Sequence, residues 1–473
     1  MNNIFENKKV ILFIIFFGCV LSILLSVNNL NKYDKNLVKS TDVVYHQMIK
    51  SDAFRYLSHG DKIKNQLKEG LNFFETGREH YTKYLPPRVY AAYYYFLDIN
   101  LFSDRDKKII NIGIHLPYLI FQSILYYLSV VFLFVSISQL INKKACFFIV
   151  FFLCFEPTIF QYHSSFWSES IFFSLQIFLL SLILKKKQTL LNFFIISIFL
   201  ALLSFQKEYS IFYIIPIIIY FYITTNKTNY KRYIIMFVGF FLIQSILGYN
   251  NYYRSGKFYL MTADSKVNLH NDLVKKVMQK KLKISGRSFD ILEGKASLKW
   301  LTENSINYDN KILEKNQEPG FFDYRSAINE KNKIEFDNFI RNRTIYYFKK
   351  YPGDFIKFAI KSSIHIVLLN PFHIYSDNNF QSGEVYYKTK THDKLIPYRI
   401  FYSLFIYTLC FYGLASMIKK RQFPLLLLLI ISIIYFYSLV SWHGNTRYFM
   451  PVVIYLSFFF GFGVEKITNK RIN

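Results

Sequence analysis

The apolar runs of this chain constrain its fold more than any other feature of the sequence. A run of 18 or more apolar residues predicts a transmembrane helix. About ten apolar runs of roughly this length recur along the chain. They cover 10–28, 117–141, 145–161, 166–184, 189–205, 208–225, 233–249, 397–418, 423–440 and 446–464. Of the 473 residues, 52% are hydrophobic and 20% are aromatic. The sequence therefore predicts an all-α, polytopic membrane protein.

Clusters of Lys and Arg between these runs predict the orientation. They lie in the short loops 142–144, 185–187, 226–232 and 419–421. Cytoplasmic loops are enriched in Lys and Arg, so we expect these four loops on the inside. The alternate short loops, 161–165 and 441–446, carry no such cluster. This pattern predicts a cytoplasmic N-terminus and two large extracytoplasmic loops, 29–108 and 250–353. The first apolar run continues past Cys19, which favours an uncleaved anchor over a cleaved signal sequence.

Segment 354–370 does not match a simple span. Lys357, Lys361 and His365 stand four residues apart and form one stripe on a helix. A charge at the bilayer centre costs about 2.5–3.5 kcal/mol on insertion scales. We therefore expect an in-plane or re-entrant helix here. The predicted organisation follows from these segments. It comprises an anchor span (1–28), an outer loop with an amphipathic helix (29–108), a transmembrane bundle (109–249), an outer helical loop or cap (250–353), and an in-plane helix with a second bundle (354–473).

Charge and cysteine content exclude several classes of site. The net charge is +27, from 58 Lys and Arg against 31 Asp and Glu. In a membrane protein this excess indicates topology signals and anionic lipid headgroups, and no nucleic-acid-binding motif accompanies it. The cysteines lie in apolar runs, as packing residues do. They are Cys19, Cys146, Cys154 and Cys410. The sequence has no C-x-x-C or H-E-x-x-H pattern, so no protein-built zinc site is visible. No cofactor is indicated.

The stretch S-D-A-F-R-Y-L-S-H-G-D-K-I at 51–63 opens the first long polar loop. Asp52, Tyr56 and His59 share one face of a helix, while Ala53 and Leu57 begin an apolar stripe on another. The pattern predicts an amphipathic helix with a carboxylate in its first turn, where the helix dipole favours the ionised form. An Asp that only caps a surface helix is the alternative.

Other ionisable residues stand at the predicted outer ends of spans. They are Glu169, Lys207, Glu208, His443 and Arg447. Ionisable residues at membrane edges are functional hypotheses by default, whereas the structural alternative is a residue that snorkels to the interface. Acids and bases converge with Asp52 on one side of the membrane in this topology, which favours a site over scattered interface residues.

These residues, in this order, resemble the GT-C superfamily of polyprenyl-phosphate-sugar-dependent glycosyltransferases. The resemblance is to the branch of protein O-mannosyltransferases and the lipid A aminoarabinose transferase. The matching pieces are Asp52 and Tyr56, L-P-P-R-V-Y with Pro86, Pro87 and Tyr90, Glu156-Pro157, Ser168-Glu169, Asn268-Leu269, Pro352, and Arg447-Tyr448 with Pro451. Two departures stand out. Many relatives have two adjacent acids where this chain has Ser51-Asp52-Ala53, and Lys207 replaces a frequent Arg, which loses a bidentate phosphate contact.

The resemblance implies a GT-C-like fold and transfer of a sugar from a polyprenyl-phosphate donor to a lipid, glycan or protein acceptor. It places the site on the outer face of the cytoplasmic membrane. Asp52 would be the catalytic base. The substrate-binding set would comprise Tyr56, His59, Arg88, Glu169, Lys207, His443 and Arg447. Within it, Lys207 and Arg447 would stabilise the leaving phosphate, with Arg55 or Arg88 as further candidates. No metal is called for, although some relatives use one.

Three other functions are consistent with a polytopic chain of this kind. A lipid or oligosaccharide transporter or flippase would use the same charges to bind an anionic lipid, but paired Gly- or Pro-broken spans are not evident. A polysaccharide polymerase or ligase would share the lipid-linked donor but not the early Asp-Tyr stretch. A structural membrane subunit would have no activity.

Overall fold

The computed structural model describes residues 7–31, 37–39, 52–76, 84–104, 109–224, 230–260, 267, 269–314, 318–369, 390–440 and 446–470. Ser51, Asn268 and His443 lie outside these residues. The first half of the described chain contains α1 (Lys8–Asn31), β1 (Leu37–Lys39), α2 (Asp52–Lys68), α3 (Leu85–Phe96), β2 (Phe102–Asp104), β3 (Ile109–Asn111), α4 (Leu116–Ile137), α5 (Lys143–Phe155), α6 (Pro157–Phe160), α7 (Glu169–Ile183), α8 (Leu190–Gln206), α9 (Ile214–Thr224) and α10 (Tyr230–Ser255).

The second half contains α11 (Lys275–Leu282), α12 (Gly286–Glu303), α13 (Asn310–Leu313), α14 (Phe321–Ala327), α15 (Glu330–Lys350), α16 (Pro352–Val367), α17 (Lys390–Lys419), α18 (Phe423–Val440) and α19 (Met450–Lys470). Short 3₁₀ turns cover Gly113–His115, Gln161–Ser164, Glu208–Tyr213 and Thr446–Phe449, and a π-helical turn covers His270–Val274.

Long apolar helices confirm the predicted class of a helical, multi-pass membrane protein. Within the described ranges, six helices are long and apolar enough to cross a bilayer: Lys8–Asn31, Gly113–Ile137, Tyr230–Tyr253, Ile396–Lys419, Phe423–Val440 and Met450–Asn469. A bent pair, Lys143–Phe155 with Pro157–Ser164, would make a seventh. Three shorter apolar helices cover Glu169–Ile183, Leu190–Gln206 and Glu208–Thr224. Each expected span coincides with an apolar helix, and the number that cross stays a prediction.

A small antiparallel sheet departs from the expectation of an all-helical chain. Its strand order is β1-β3-β2, and Leu37 pairs with Asn111 at one end of the register. Strands of three residues are too short to produce a clear alternation of apolar and polar residues, so no local pattern predicts them. The sheet joins the beginning of the first long polar loop to its end.

Close contacts between small residues hold the apolar helices together. α17 packs along α19, and a Cβ added at Gly413 would lie only 1.7 Å from the carbonyl oxygen of Phe459. α1 packs on α4, where the hydroxyls of Ser22 and Ser123 lie 3.0 Å apart. Small residues of this kind allow helix backbones to approach closely in a membrane.

The region 250–353 folds into helices around two apolar clusters. One cluster includes Leu301, Phe321 and Phe336, and the other includes Met278 and Phe289. The expectation that this region caps the membrane part on its outer side stays a prediction.

α16 links this helical region to the bundle. Asp354 at its beginning lies 2.9 Å from Lys281, and the Val367 carbonyl at its end accepts a 2.5 Å hydrogen bond from Tyr407. Phe355 and Ile366 are buried on one face of α16, whereas Ile356, Ile360 and Ile364 are exposed on another. Lys357 and Lys361 are also exposed beside this stripe, whereas the side chain of His365 lies outside the description. The in-plane placement of α16 stays a prediction.

Candidate functional site

The helix that begins at Asp52 packs against the Pro-Pro helix that follows it. α2 and α3 meet at Gly60, where an added Cβ would lie 2.6 Å from Cβ of Tyr90. Tyr56 is buried in this contact together with Ala53, whereas Asp52 and His59 are only half-buried. The two faces expected from the sequence therefore merge at Tyr56, and Asp52 lies at the edge of the packed surface.

Tyr90 connects this helix pair to the segment that precedes α7. Its hydroxyl donates a 2.9 Å hydrogen bond to the carbonyl of Phe166, and its ring lies 4.4 Å from that of Tyr118. Burial raises the pKa of Tyr90 well above its usual value, and the neighbouring Tyr118, Tyr94 and Tyr56 raise it further. The Tyr90 hydroxyl therefore stays protonated and can donate this hydrogen bond. Because Tyr90 packs on α2 and bonds to Phe166, α2 lies at the same end of the bundle as the beginning of α7.

The segment between α5 and α7 is held in place by a buried carboxylate. The helix is interrupted at Glu156-Pro157, between α5 and α6. Glu156 caps α6 by accepting a 2.8 Å hydrogen bond from the Ile159 amide. Glu156 also accepts a 2.8 Å bond from the Tyr402 hydroxyl and one from Thr158. This hydrogen bond attaches α17 to the junction between α5 and α6, although Glu156 and Tyr402 are 246 positions apart in the chain.

Amide side chains from two other helices hold the rest of this segment. Gln122 of α4 donates to the carbonyls of His163 and Ser165, at 2.6 and 2.8 Å. Asn29 of α1 donates to the Ser164 hydroxyl at 3.1 Å. Hydrogen bonds therefore attach this segment to α1, α4 and α17. They help to position Ser168 and Glu169, which follow the segment at the beginning of α7.

Two of the residues expected at the site form an ion pair. Nζ of Lys207 lies 2.6 Å from Oε1 of Glu169, and the two side chains are 4% and 2% exposed. Next to them, Nε2 of Gln206 donates a 2.6 Å hydrogen bond to the Ser168 carbonyl. The end of α8 is thereby joined to the beginning of α7. Lys207 already has an anionic partner, so a phosphate would have to compete with Glu169 for it.

The beginning of the last helix lies at the same end of the bundle. Gln176, about two turns along α7 from Glu169, donates a 2.8 Å hydrogen bond to the Pro451 carbonyl. α7 and α19 are thus in contact, and the turn Thr446–Phe449 directly precedes the contacting end of α19. The backbone of Arg447 belongs to that turn, but its side chain lies outside the description, as does all of His443.

Arg88 contacts protein groups rather than the ion pair. Its guanidinium lies 3.7 Å from the centre of the Tyr84 ring and donates to the carbonyls of Tyr84 and Thr76, both at 3.3 Å. Asn250 donates to the Phe74 carbonyl at 2.8 Å and adds a second contact to the same segment. These bonds attach 72–76 to α3 and α10, and a contact of Arg88 with substrate stays a prediction.

Metal binding has no visible site in the part of the chain that the structure describes. No group of three or more His, Cys, Asp and Glu residues there could hold a metal ion. Two neighbours of the ion pair, Ser168 and Gln206, were not among the residues expected at the site. The Ser-Glu and Gln-Lys dipeptides were the available signal, because each places a polar residue directly beside a charged one.

No family model and no curated protein matches this chain. Among solved structures, the chain aligns with the archaeal oligosaccharyltransferase AglB from Archaeoglobus fulgidus, a structure in complex with an inhibitory peptide and a dolichol-phosphate. The identity is 14% and the TM-score is 0.48. The alignment covers 96% of this chain and 50% of AglB, so this chain spans about half the length of that protein. At this level of identity the likeness says nothing about substrates or residue roles.

Proposed function

We propose that this protein is a GT-C-type membrane glycosyltransferase. It moves a sugar from a polyprenyl-phosphate donor to an envelope lipid, glycan or protein acceptor at the outer face of the cytoplasmic membrane. The observation that supports this function is a convergence of polar groups. The first turn of α2, the Glu169–Lys207 pair and the beginning of α19 lie at one end of an apolar bundle, joined through the Tyr90–Phe166 and Gln176–Pro451 hydrogen bonds. A lipid-borne donor presents its reacting atoms at such an end.

Asp52 is the residue we assign to the acceptor. The acceptor hydroxyl or amine gives its proton to the Asp52 carboxylate as its oxygen or nitrogen bonds to the anomeric carbon of the sugar. The bond from that carbon to the phosphate oxygen breaks, and its electron pair leaves with the polyprenyl phosphate. Asp52 opens α2 and is half-buried, so its carboxylate can meet an acceptor from solvent. General-base help of this kind typically contributes about 10²–10⁴ in rate.

The leaving phosphate needs a cation, and Arg447 is our candidate. An arginine presents a planar fork that matches two phosphate oxygens. Arg447 belongs to the turn before α19, one turn above the carbonyl that Gln176 contacts. Lys207 is engaged by Glu169, and we assign the pair to the sugar end of the donor, where the half-buried His59 would also act.

The polyprenyl chain needs an apolar surface that reaches the site. Phe212 and Ile215 follow Lys207 closely in the chain, and their side chains are 55% and 52% exposed. Exposed aromatic and aliphatic residues on a membrane helix contact lipid tails at little cost. Exposed apolar side chains this soon after Lys207 in the chain support a donor that enters laterally from the bilayer.

Purified protein in nanodiscs, supplied with polyprenyl-phosphate sugars and envelope extract, tests the proposal. A glycosyltransferase releases free polyprenyl phosphate and transfers one sugar to an acceptor. Deletion cells should accumulate the unused lipid-linked sugar and lose that sugar from the envelope. A flippase would move a lipid-linked sugar across the bilayer without releasing polyprenyl phosphate, and that result would replace the proposed function.

A further inference from the structure

Three buried polar groups beside the ion pair have no hydrogen-bond partner among the described residues. They are Oγ of Ser168, Oε1 of Gln206 and Oγ of Ser210. The three residues are 4%, 1% and 0% exposed. A buried polar atom without a partner costs stability, so folded proteins retain few of them.

Ser168 and Gln206 directly precede the two residues of the ion pair in the chain, and Ser210 follows Lys207 by three residues. Gln206 donates to the Ser168 carbonyl at 2.6 Å through its Nε2, which leaves Oε1 unsatisfied. The Ser210 amide donates to the Lys207 carbonyl at 2.9 Å, so Ser210 lies one 3₁₀ turn beyond the ion pair. We call Ser168, Gln206 and Ser210 together the polar subsite.

The chemistry of these atoms selects the class of ligand. Oε1 of Gln206 only accepts hydrogen bonds, whereas each serine hydroxyl both donates and accepts. A phosphate group only accepts, so it cannot satisfy Gln206. Lys207 and Glu169 also offset each other's charge at 2.6 Å, which removes the net positive charge that would attract a phosphate. A hydroxyl that both donates and accepts matches all three groups.

We infer that the polar subsite binds hydroxyl groups of the sugar on the lipid-linked donor and thereby selects sugar-bearing lipid over bare lipid phosphate. This inference rests on the proposed function. It makes Ser168, Gln206 and Ser210 specificity-determining residues, with Lys207 holding Glu169 in position between them.

The experiment measures affinity for two probes with full-length protein in nanodiscs. One probe is polyprenyl phosphate without a sugar, and the other is the same lipid carrying a hexose or a pentose. The variants are Ser168→Ala and Ser210→Ala, because each removes an unsatisfied hydroxyl and no hydrogen bond to a described residue. Ser197→Ala is the matched control, since Ser197 is fully buried but bonded to the Phe194 carbonyl at 2.6 Å.

In the unmodified protein we expect at least one sugar-bearing probe to bind about tenfold more tightly than bare lipid phosphate. Each serine variant should reduce this ratio about three- to tenfold, the range of one neutral hydrogen bond, and leave the affinity for bare lipid phosphate unchanged. Ser197→Ala should not change the ratio. Without ligand, Ser168→Ala and Ser210→Ala should retain or raise the melting temperature, whereas Ser197→Ala should lower it.

Several results would overturn the inference. An unchanged ratio in both serine variants, or an equal loss of affinity for both probes, would assign these residues a structural or phosphate-binding role. Equal affinity of the unmodified protein for sugar-bearing and bare lipid would also overturn it while leaving the proposed function intact. Failure to bind any of the probes would overturn both.

Discussion

Nζ of Lys207 lies 2.6 Å from Oε1 of Glu169, and both side chains are almost completely buried where α8 ends and α7 begins. A buried pair of this kind is sensitive to loss of one partner, because the other charge is left uncompensated in a region of low dielectric constant.

Lys207→Met should therefore destabilise the protein by about 3–5 kcal/mol. The double variant Lys207→Met with Glu169→Met should recover a large part of that loss, because no charge is left unpaired. The free energy of unfolding in mixed micelles measures both effects. Lys257→Met is the control, since its pair with Glu335 is about half exposed on both sides and should be nearly neutral. If Lys207→Met proved as harmless as the control, the pair would not stabilise the fold.

Glu293 predicts how the stability of the 250–353 region depends on pH. It accepts hydrogen bonds from Arg343 at 2.6 and 3.0 Å and from the Tyr347 hydroxyl at 2.7 Å. Burial alone would raise its pKa, but hydrogen bonds from His270 and Arg343 outweigh burial and lower the pKa to about 2 from the ordinary 4.5. The stabilisation by ionised Glu293 is therefore complete above pH 4.5 and is lost as the pH falls towards 2.

Melting temperatures measured across this pH range, with Glu293→Gln for comparison, check this prediction. Glu293→Gln should lower the melting temperature at neutral pH and flatten its dependence on pH below 4.5. Arg343→Gln should also destabilise the protein, whereas Arg341→Gln, an exposed neighbour on the same helix, should not. If the melting temperatures of Glu293→Gln and of the unmodified protein fell identically below pH 4.5, Glu293 would not be the group responsible for the loss of stability in acid.

The exposed stripe of α16 predicts its depth in the bilayer. Ile356, Ile360 and Ile364 are 61%, 60% and 62% exposed, next to Lys357 and Lys361. An in-plane helix places spin labels at 356 and 364 at equal depth, whereas a spanning helix separates them by about 12 Å along the membrane normal. Accessibility to oxygen and to a polar nickel complex in nanodiscs measures these depths. We expect equal depth at both positions, with position 361 nearer to water, and a steady gradient would show that α16 spans.

The basic loops predict which side of the membrane each segment occupies. Single cysteines at Ser305, in the loop after α12, and at Thr468, near the end of α19, can be tested in a background without the native cysteines. A membrane-impermeant thiol reagent should label position 305 but not position 468 in outer-permeabilised cells. The reverse pattern would contradict the proposed orientation.

Local sequence patterns predicted most of the helices and the amphipathic character of α2, because apolar periodicity reports directly on which face is buried. Local patterns do not predict which residues distant in the sequence are in contact. Glu169 and Lys207 were each expected at the site, but their pairing across 38 residues depends on how α7 and α8 pack. The bond between Tyr402 and Glu156 is a still longer contact and had no local signal. Tyr56 was expected to share a polar face, whereas the close approach of α3 at Gly60 buries it.

Turnover of Asp52→Asn tests the proposed function most directly. The substitution retains the size of the side chain and removes its charge, so we expect folding and donor binding to persist. Asp52→Glu should recover only part of the rate, because a displacement near 1 Å can itself cost about a hundredfold. As a control, Asp98→Asn changes an exposed carboxylate paired with Lys68 and should leave turnover unaltered.

The deciding measurement is the rate of sugar transfer per folded molecule of Asp52→Asn in nanodiscs. The proposed role of Asp52 as general base predicts a rate at least about a hundredfold below that of the unmodified protein. If Asp52 only caps α2, Asp52→Asn should lower the free energy of unfolding by at most about 2 kcal/mol and so reduce the amount of folded protein. Sugar transfer per folded molecule would then be unchanged. Transfer near the unmodified rate would contradict the catalytic role of Asp52.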